Sequence, residues 1–260
     1  MSDSTDLVAD QYLSEWDPKS YLRQFYSTDF VPDDSRAVLS FLVEQLNQRN
    51  VFGGRALEFG CGPTIWCALP LASRMDEIYL ADYLPSNLEE VRRWIDDSAD
   101  AHDWSIYIRH VLQLEGISQP TEADLSHRSQ MLRSRIASLC LSDANQSPCL
   151  RKPMPPFELV TSFFCLECIH HERLEWQKYM RGLTEQVAPD GHMILSSILH
   201  SQKYVVEDRQ FPVTPLIESD FADVLIDCGL RPESLVIRSV LIEDWKAEGF
   251  DTICLIAGSK

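Results

Sequence analysis

Residues 56–66 read ALEFGCGPTIW: an apolar strand carrying Glu58 that runs directly into a close pair of glycines, Gly60 and Gly62. Lacking a β-carbon, both glycines let the backbone turn sharply and let a ligand lie against it. Thr64 then stands where a helix is expected to begin. The pattern, acidic-x-Gly-x-Gly, is one by which a sheet can hand a nucleoside to its own edge. A dinucleotide fingerprint would need a third glycine where this chain has Ile65, and no Gly-Lys-Ser/Thr phosphate loop is present.

The next segment, EIYLADYLPSNLEEVRRWI (77–95), supplies a second apolar strand ending in Asp82, then a helix with Asn87 near its start. A carboxylate at the end of a second strand is where ribose hydroxyls are held. The alternative is that Asp82 only caps the helix begun near Pro85. Beside the glycine pair, the ligand role is the better reading.

Farther out, strand and helix alternate. Helices are expected near 18–27 and 34–49, the second on the apolar spacing of Val38, Leu39, Leu42, Val43 and Leu46. Ile136–Leu141 and 159–164 read as buried strands, with the turn-rich PMPPFE between them. A helix after Arg173 carries Trp176, Tyr179, Met180 and Leu183 and ends at APDG, before a strand over 192–199. The polar stretch 118–135 lacks a strong period and reads as an insertion that covers the site or lies on the surface. Such alternation predicts a parallel sheet wound with helices on both faces. The tail departs from it: 219–228 is helical with Gly229 as its stop, then SLVIRSVLI and FDTICLIAG read as two strands paired antiparallel at one edge.

Several of these stretches, in this order, resemble the family of small-molecule methyltransferases that includes nicotinamide, phenylethanolamine and thioether methyltransferases. They are EFGCGPTIW, ADYLPSNLEEVRRWIDD, HDWS (102–105) and LEG (114–116), with YLSEWDPKSYLRQFY (12–26) similar to that family's N-terminal cap. The resemblance implies an α/β, doubly wound, seven-stranded, mostly parallel sheet with an antiparallel last strand, the Rossmann-like class I methyltransferase fold, under an N-terminal helical cap. It also implies one domain over 1–260: a cap at 1–50 and a core at 51–260, with an insertion near 116–135 and a hairpin near 200–215.

The cofactor implied is S-adenosyl-L-methionine, leaving as S-adenosyl-L-homocysteine. Gly60, Gly62 and Thr64, with Glu58 and Pro63, would approach its methionine and ribose part. Asp82 would take the ribose hydroxyls, with Tyr83 and Asn87 assisting. Asp143 matches the position that accepts the adenine amino group, followed by Ala144, and Phe163 closes the set. Tyr21 and Tyr26 match the cap tyrosines, whose hydroxyls would reach the methionine carboxylate and whose rings exclude water and tolerate a sulfonium by cation–π attraction of ~1 kcal/mol or more; the alternative is that aromatic residues spaced by five are core contacts of an amphipathic helix.

On the acceptor side, nicotinamide methyltransferases hold the amide with an aspartate and a serine, where this chain has Ser197 and Val213, which argues against nicotinamide itself. Ser201 and Tyr204 stay in register. Phenylethanolamine methyltransferases use carboxylates, for which Glu167, Glu243, Asp244 and Glu248 are candidates. Tyr21, Glu167, Ser197 and Tyr204 are therefore the expected catalytic set. His170 and His171 could supply a base, or be structural. The implied reaction is direct in-line methyl transfer to a nitrogen of a small amine or N-heterocycle. Oxygen, sulfur or carbon acceptors, or a non-catalytic cofactor-binding subunit, remain the alternatives.

Composition fits. A chain of 260 residues can bury one large core. The acidic start MSDSTDLVAD and the lack of a long apolar run predict no signal peptide and no membrane partner, hence a cytoplasmic enzyme, monomeric or weakly oligomeric. Eight cysteines then read as reduced thiols. Cys165 and Cys168 precede His170 and His171, but no second C-x-x-C completes a zinc set, so no metal is expected. A net charge of −17 tells strongly against a nucleic-acid substrate, suits a cationic one, and in the plainer reading maintains solubility.

Overall fold

A computed structural model of the chain describes residues 11–260; the stretch 1–10, on which the signal-peptide expectation partly rests, lies outside them. Seven strands form one sheet in the order β3-β2-β1-β4-β5-β9-β8. The strands are β1 (Arg55–Phe59), β2 (Glu77–Asp82), β3 (Ile136–Leu141), β4 (Phe157–Phe163), β5 (Val187–Ile198), β8 (Val236–Leu241) and β9 (Thr252–Ser259), while β6 (Lys203–Val206) and β7 (Arg209–Pro212) pair apart as a hairpin. Every neighbouring pair from β3 to β5 is parallel; β9 runs antiparallel to both β5 and β8. The expected fold is therefore found, with β9 inserted between β5 and the edge strand β8.

Alternation along each strand divides the core into two faces. Ala56, Leu80, Leu159 and Ile194 pack against Leu39, Leu42 and Leu46 of α2 (Asp33–Gln48), Val91 and Trp94 of α3 (Pro85–Ile95) and Val111 of α4 (Ser105–Leu114). Leu57, Val160, Met193 and Leu195 face the other way, onto Trp176 and Met180 of α6 (Arg173–Thr184) and Phe221 and Leu225 of α7 (Glu218–Asp227). α1 (Pro18–Tyr26), capped by the Asp17 carboxylate, lies over the sheet's end.

Four local expectations are corrected. No α-helix follows Thr64; two short 3-10 turns, Trp66–Ala68 and Leu71–Ser73, stand there instead. Pro70 lies between them, and a proline there can neither donate to the helix ladder nor tolerate the preceding carbonyl. The polar stretch 118–135 holds a regular helix, α5 (Glu122–Arg135), started by a Thr121–Asp124 capping box and turned inward through Leu125, Arg128 and Leu132. It packs beside the 3-10 turns, where Arg128 donates to the Leu69 carbonyl at 3.0 Å and pairs with Glu115. β3 is an edge strand, mostly half-buried. β5 begins at Val187, so APDG belongs to the strand, with an irregular register against β4.

Candidate active site

The C-terminal ends of the parallel strands and the cap enclose a cavity of about 180 Å³. Its floor is the glycine turn. Gly60 and Gly62 have φ of 72° and 60°, a left-handed conformation that side chains resist. The turn is pinned to the neighbouring strand, since the Gly60 and Cys61 amides donate to the Ala81 carbonyl at 2.8 and 3.0 Å. A β-carbon at Gly60 would stand 2.0 Å from the Cys165 sulfur, whereas one at Gly62 would meet nothing within 4 Å. Gly60 thus lets two strand ends approach; Gly62 keeps space open beside the cavity that it lines. Thr64 donates to the Cys61 carbonyl at 2.8 Å and closes the turn.

Asp82 organises the adjoining wall. It accepts from the Gly62 amide at 2.8 Å, the Leu84 amide at 2.9 Å and the Asn87 side chain at 2.9 Å. Burial raises its pKa, and those three donors oppose the rise by favouring the carboxylate. The Asn87 carbonyl in turn accepts from the Trp16 indole at 2.8 Å, which ties the cap to the end of β2. α3 has no side-chain cap; its N-cap is Leu84, so Asp82 does more than start a helix. Beyond β3, Asp143 and Ala144 line the cavity, and the Asp143 carboxylate accepts from the Asn145 amide at 2.9 Å. Tyr83 and Phe163 line it too.

The roof is aromatic. The Tyr21 and Tyr26 hydroxyls are 3.5 Å apart, and Trp16 packs on Tyr21 with ring centres 4.8 Å apart. Tyr204, on the hairpin, meets the Tyr12 hydroxyl at 3.1 Å, and both rings stack on Phe211. Cap and hairpin are joined by Gln24, which donates to the Val205 carbonyl and accepts from the Glu207 amide. Burial raises the pKa of Tyr21, Tyr26 and Tyr204, so these hydroxyls stay protonated as donors.

Besides Asp82, two further carboxylates are buried at this cavity. Glu58 is 3% exposed, its Oε2 has no hydrogen-bond partner, and burial pushes its pKa up to about 8. Asp34, in the first turn of α2, was not singled out from the sequence. It is 9% exposed, and its Oδ1 also lacks a partner.

Pro63, Glu167 and Ser197 lie outside the cavity lining. The Glu167 carboxylate turns away from it to accept from the Ile198 amide at 2.8 Å, which holds the end of β4 against β5. The Ser197 hydroxyl donates to the Ile198 carbonyl at 3.2 Å. His170 is buried but off the cavity, its Nδ1 accepting from the Glu172 amide, and His171 is exposed. Ser201 spends its hydroxyl on the Lys203 and Gly249 carbonyls, and Val213 is fully buried. Asp244 is exposed and accepts from the Asp33 amide. Cys165 and Cys168 line the cavity, and among the described residues no group of three or more metal-ligating side chains is gathered. No described helix is long and apolar enough to cross a membrane.

A Gly cradle with room beside it, a carboxylate at the second strand's end and an unsatisfied Glu58 fit a ligand that carries a ribose and an ammonium. Comparison with known proteins agrees. The NNMT/PNMT/TEMT family matches residues 5–260. Indolethylamine N-methyltransferase of Oryctolagus cuniculus is 26% identical over 232 residues, 87% of each chain, and nicotinamide N-methyltransferase of Homo sapiens is 27% identical over 80% of this chain and 79% of that one. The fold is shared with magnesium protoporphyrin IX methyltransferase from Synechocystis PCC 6803 with bound SAM, at TM-score 0.58 and 15% identity over 100% and 98% of the two chains. The chain belongs to the NNMT/PNMT/TEMT family, and it is a methyltransferase that uses S-adenosylmethionine.

Proposed function

We propose that this enzyme methylates a nitrogen of a small amine or N-heterocycle, working in the cytoplasm as a monomer or weak oligomer. The observation that carries this reading is one cavity with a glycine cradle on its floor, aromatic rings above and three buried carboxylates, Asp34, Glu58 and Asp82, on its walls. When bound, S-adenosylmethionine would supply an activated methyl group to an acceptor nitrogen with a free lone pair, the electron pair of the broken C–S bond staying on sulfur and the positive charge passing to nitrogen.

The chain's own residues then have little proton chemistry to do. Gly60, Gly62, Thr64 and Glu58 would hold the methionine part, Asp82 and Asn87 the ribose hydroxyls, and Asp143 with Ala144 the adenine. Tyr21, Tyr26 and Tyr204 would exclude water and align the acceptor for attack at about 3 Å. Glu167 has no place in this scheme. Glu167→Gln, which retains an acceptor for the Ile198 amide, is expected to leave the KM for the methyl acceptor within about twofold, as steady-state kinetics would read.

Glu58 gives the reading a pH signature. A free glutamate titrates near 4.3, and this one near 8 when folded. The stability contributed by its protonated form is complete below about pH 4.3 and is lost as pH rises through about 8. Glu58→Gln should therefore flatten the fall in melting temperature between those limits, leaving the part due to Asp34 and Glu167, which burial pushes up to about 6 and about 7, and to Asp82, which burial also raises. An unchanged melting profile would count against the ionisation assigned to Glu58.

The test of function is calorimetric titration with S-adenosylmethionine and S-adenosylhomocysteine, followed by methyl transfer to small amines, guanidines, pyridines, phenols and thiols. Binding with turnover on nitrogen supports the proposal. Turnover confined to a phenol or thiol replaces the acceptor atom, and binding without any turnover would favour a cofactor-binding subunit.

A further inference from the structure

Asp34 is the one cavity carboxylate for which the cofactor scheme has no use. It lies in the first turn of α2, where the helix dipole favours a negative charge. Its side chain lines the cavity, and Oδ1 is buried without a hydrogen-bond partner. Burial pushes its pKa up to about 6; the neighbouring Trp245 indole and Ser35 pull it down without giving Oδ1 a hydrogen bond, and the charge of Asp244 adds to the rise. An incompletely paired carboxylate in such a place is costly to the folded protein unless something compensates it.

The surroundings suit a cation. Tyr21, Phe25, Tyr26 and Phe250 line the same cavity. Tyr21 and Phe25 have ring centres 5.1 Å apart, Tyr21 and Tyr26 5.6 Å, and Trp245 closes on Phe25 at 4.9 Å. Burial first, and then charges that include that of Asp34, raise the pKa of the Tyr21 and Tyr26 hydroxyls, which places them within its field. Aromatic faces beside a carboxylate attract an ammonium twice over, by ring quadrupole and by charge.

We propose that Asp34 is the receptor for the methyl acceptor's cationic nitrogen, so that the enzyme selects acceptors that arrive as ammonium ions flanked by apolar groups; the bound ammonium then gives its proton to water, and the freed lone pair takes the methyl group. This rests on reading the cavity as that of an amine methyltransferase, and it transfers to the cap a role that the sequence suggested for Glu167. Because the carboxylate is under-partnered, neutral replacements should fold: Asp34→Asn and Asp34→Ser are expected to melt no lower than the parent.

The deciding experiment titrates 2-phenylethylamine and its uncharged counterpart 2-phenylethanol into the S-adenosylhomocysteine complexes of the parent, Asp34→Asn, Asp34→Ser and Asp34→Glu. The expected result is that the amine weakens about 30-fold or more in the two neutral variants, with partial recovery in Asp34→Glu. The alcohol and S-adenosylhomocysteine should each stay within about twofold. Equal loss for amine and alcohol, unchanged amine affinity, or parent protein that binds neither probe would overturn the assignment. Loss of S-adenosylhomocysteine affinity in the Asp34 variants would also overturn it, by giving Asp34 to the cofactor. Failure of the methyltransferase reading itself would appear separately, as a parent protein that does not bind S-adenosylhomocysteine.

Discussion

Asp82→Ala is expected to lower the affinity for S-adenosylhomocysteine by about 100-fold or more, equivalent to about 2.7 kcal/mol. The carboxylate does two things that an alanine cannot. It presents acceptor oxygens toward the space where ribose hydroxyls would lie, and it holds that space in shape through the Gly62 amide, the Leu84 amide and Asn87. Leaving buried donors without a partner costs about 1–3 kcal/mol each, so the apo protein should also melt lower. Asp82→Asn separates the two contributions, because the amide keeps one acceptor for the turn but brings a donor that conflicts with one of the amides now facing the carboxylate. Its affinity should fall between those of the parent and the alanine variant. Calorimetry on both variants, with circular dichroism to establish folding, reads the effect; parental affinity in a folded Asp82→Ala would remove the ribose role.

The place of Asp82 at the cavity wall was legible because strand ends and glycine pairs leave local marks. An apolar run of strand length, an acid at its end and two close glycines are adjacent in sequence, so β1, β2 and the floor between them could be read directly. The roof was partly legible: Tyr21 and Tyr26 came from the resemblance of the cap, but the contact of Trp16 with Asn87 spans 71 positions and has no local signature. Asp34 was missed because an acid in a helix's first turn is ordinary by pattern; only tertiary packing buries it. Glu167 was misplaced for the converse reason. An acid after an apolar strand looks aimed at a ligand, and nothing local reveals that the Ile198 amide of the neighbouring strand claims it. Helix α5 escaped detection because Arg128 occupies its buried face between Leu125 and Leu132, which suppresses the hydrophobic period while the guanidinium satisfies a carbonyl of the turn that replaced the expected helix.

The two glycines of the turn should respond differently to the same substitution. At Gly60 an alanine pays for the left-handed backbone, about 1–2 kcal/mol, and its methyl group would sit 2.0 Å from the Cys165 sulfur and 2.6 Å from the Cys165 β-carbon. A whole side chain must move, not the tip of a flexible one, and overpacking of this kind adds about 1–3 kcal/mol. Gly60→Ala is thus expected to lose about 2–5 kcal/mol of stability. At Gly62 the backbone cost is similar, since φ is 60°, but nothing stands within 4 Å of the new methyl group. Gly62→Ala should lose only about 1–2 kcal/mol of stability, with its larger effect on S-adenosylhomocysteine affinity, because the methyl group takes space at the cavity floor. Urea denaturation and calorimetry on the two variants make the comparison. A third variant identifies the cause: in a Cys165→Gly background the atoms that obstruct the methyl group are gone, so the further loss from Gly60→Ala should shrink to the backbone cost alone. Residues in contact couple in this way, and distant ones do not. An undiminished loss in that background would mean that Gly60 is required by its left-handed conformation and not by the close approach of β1 and β4.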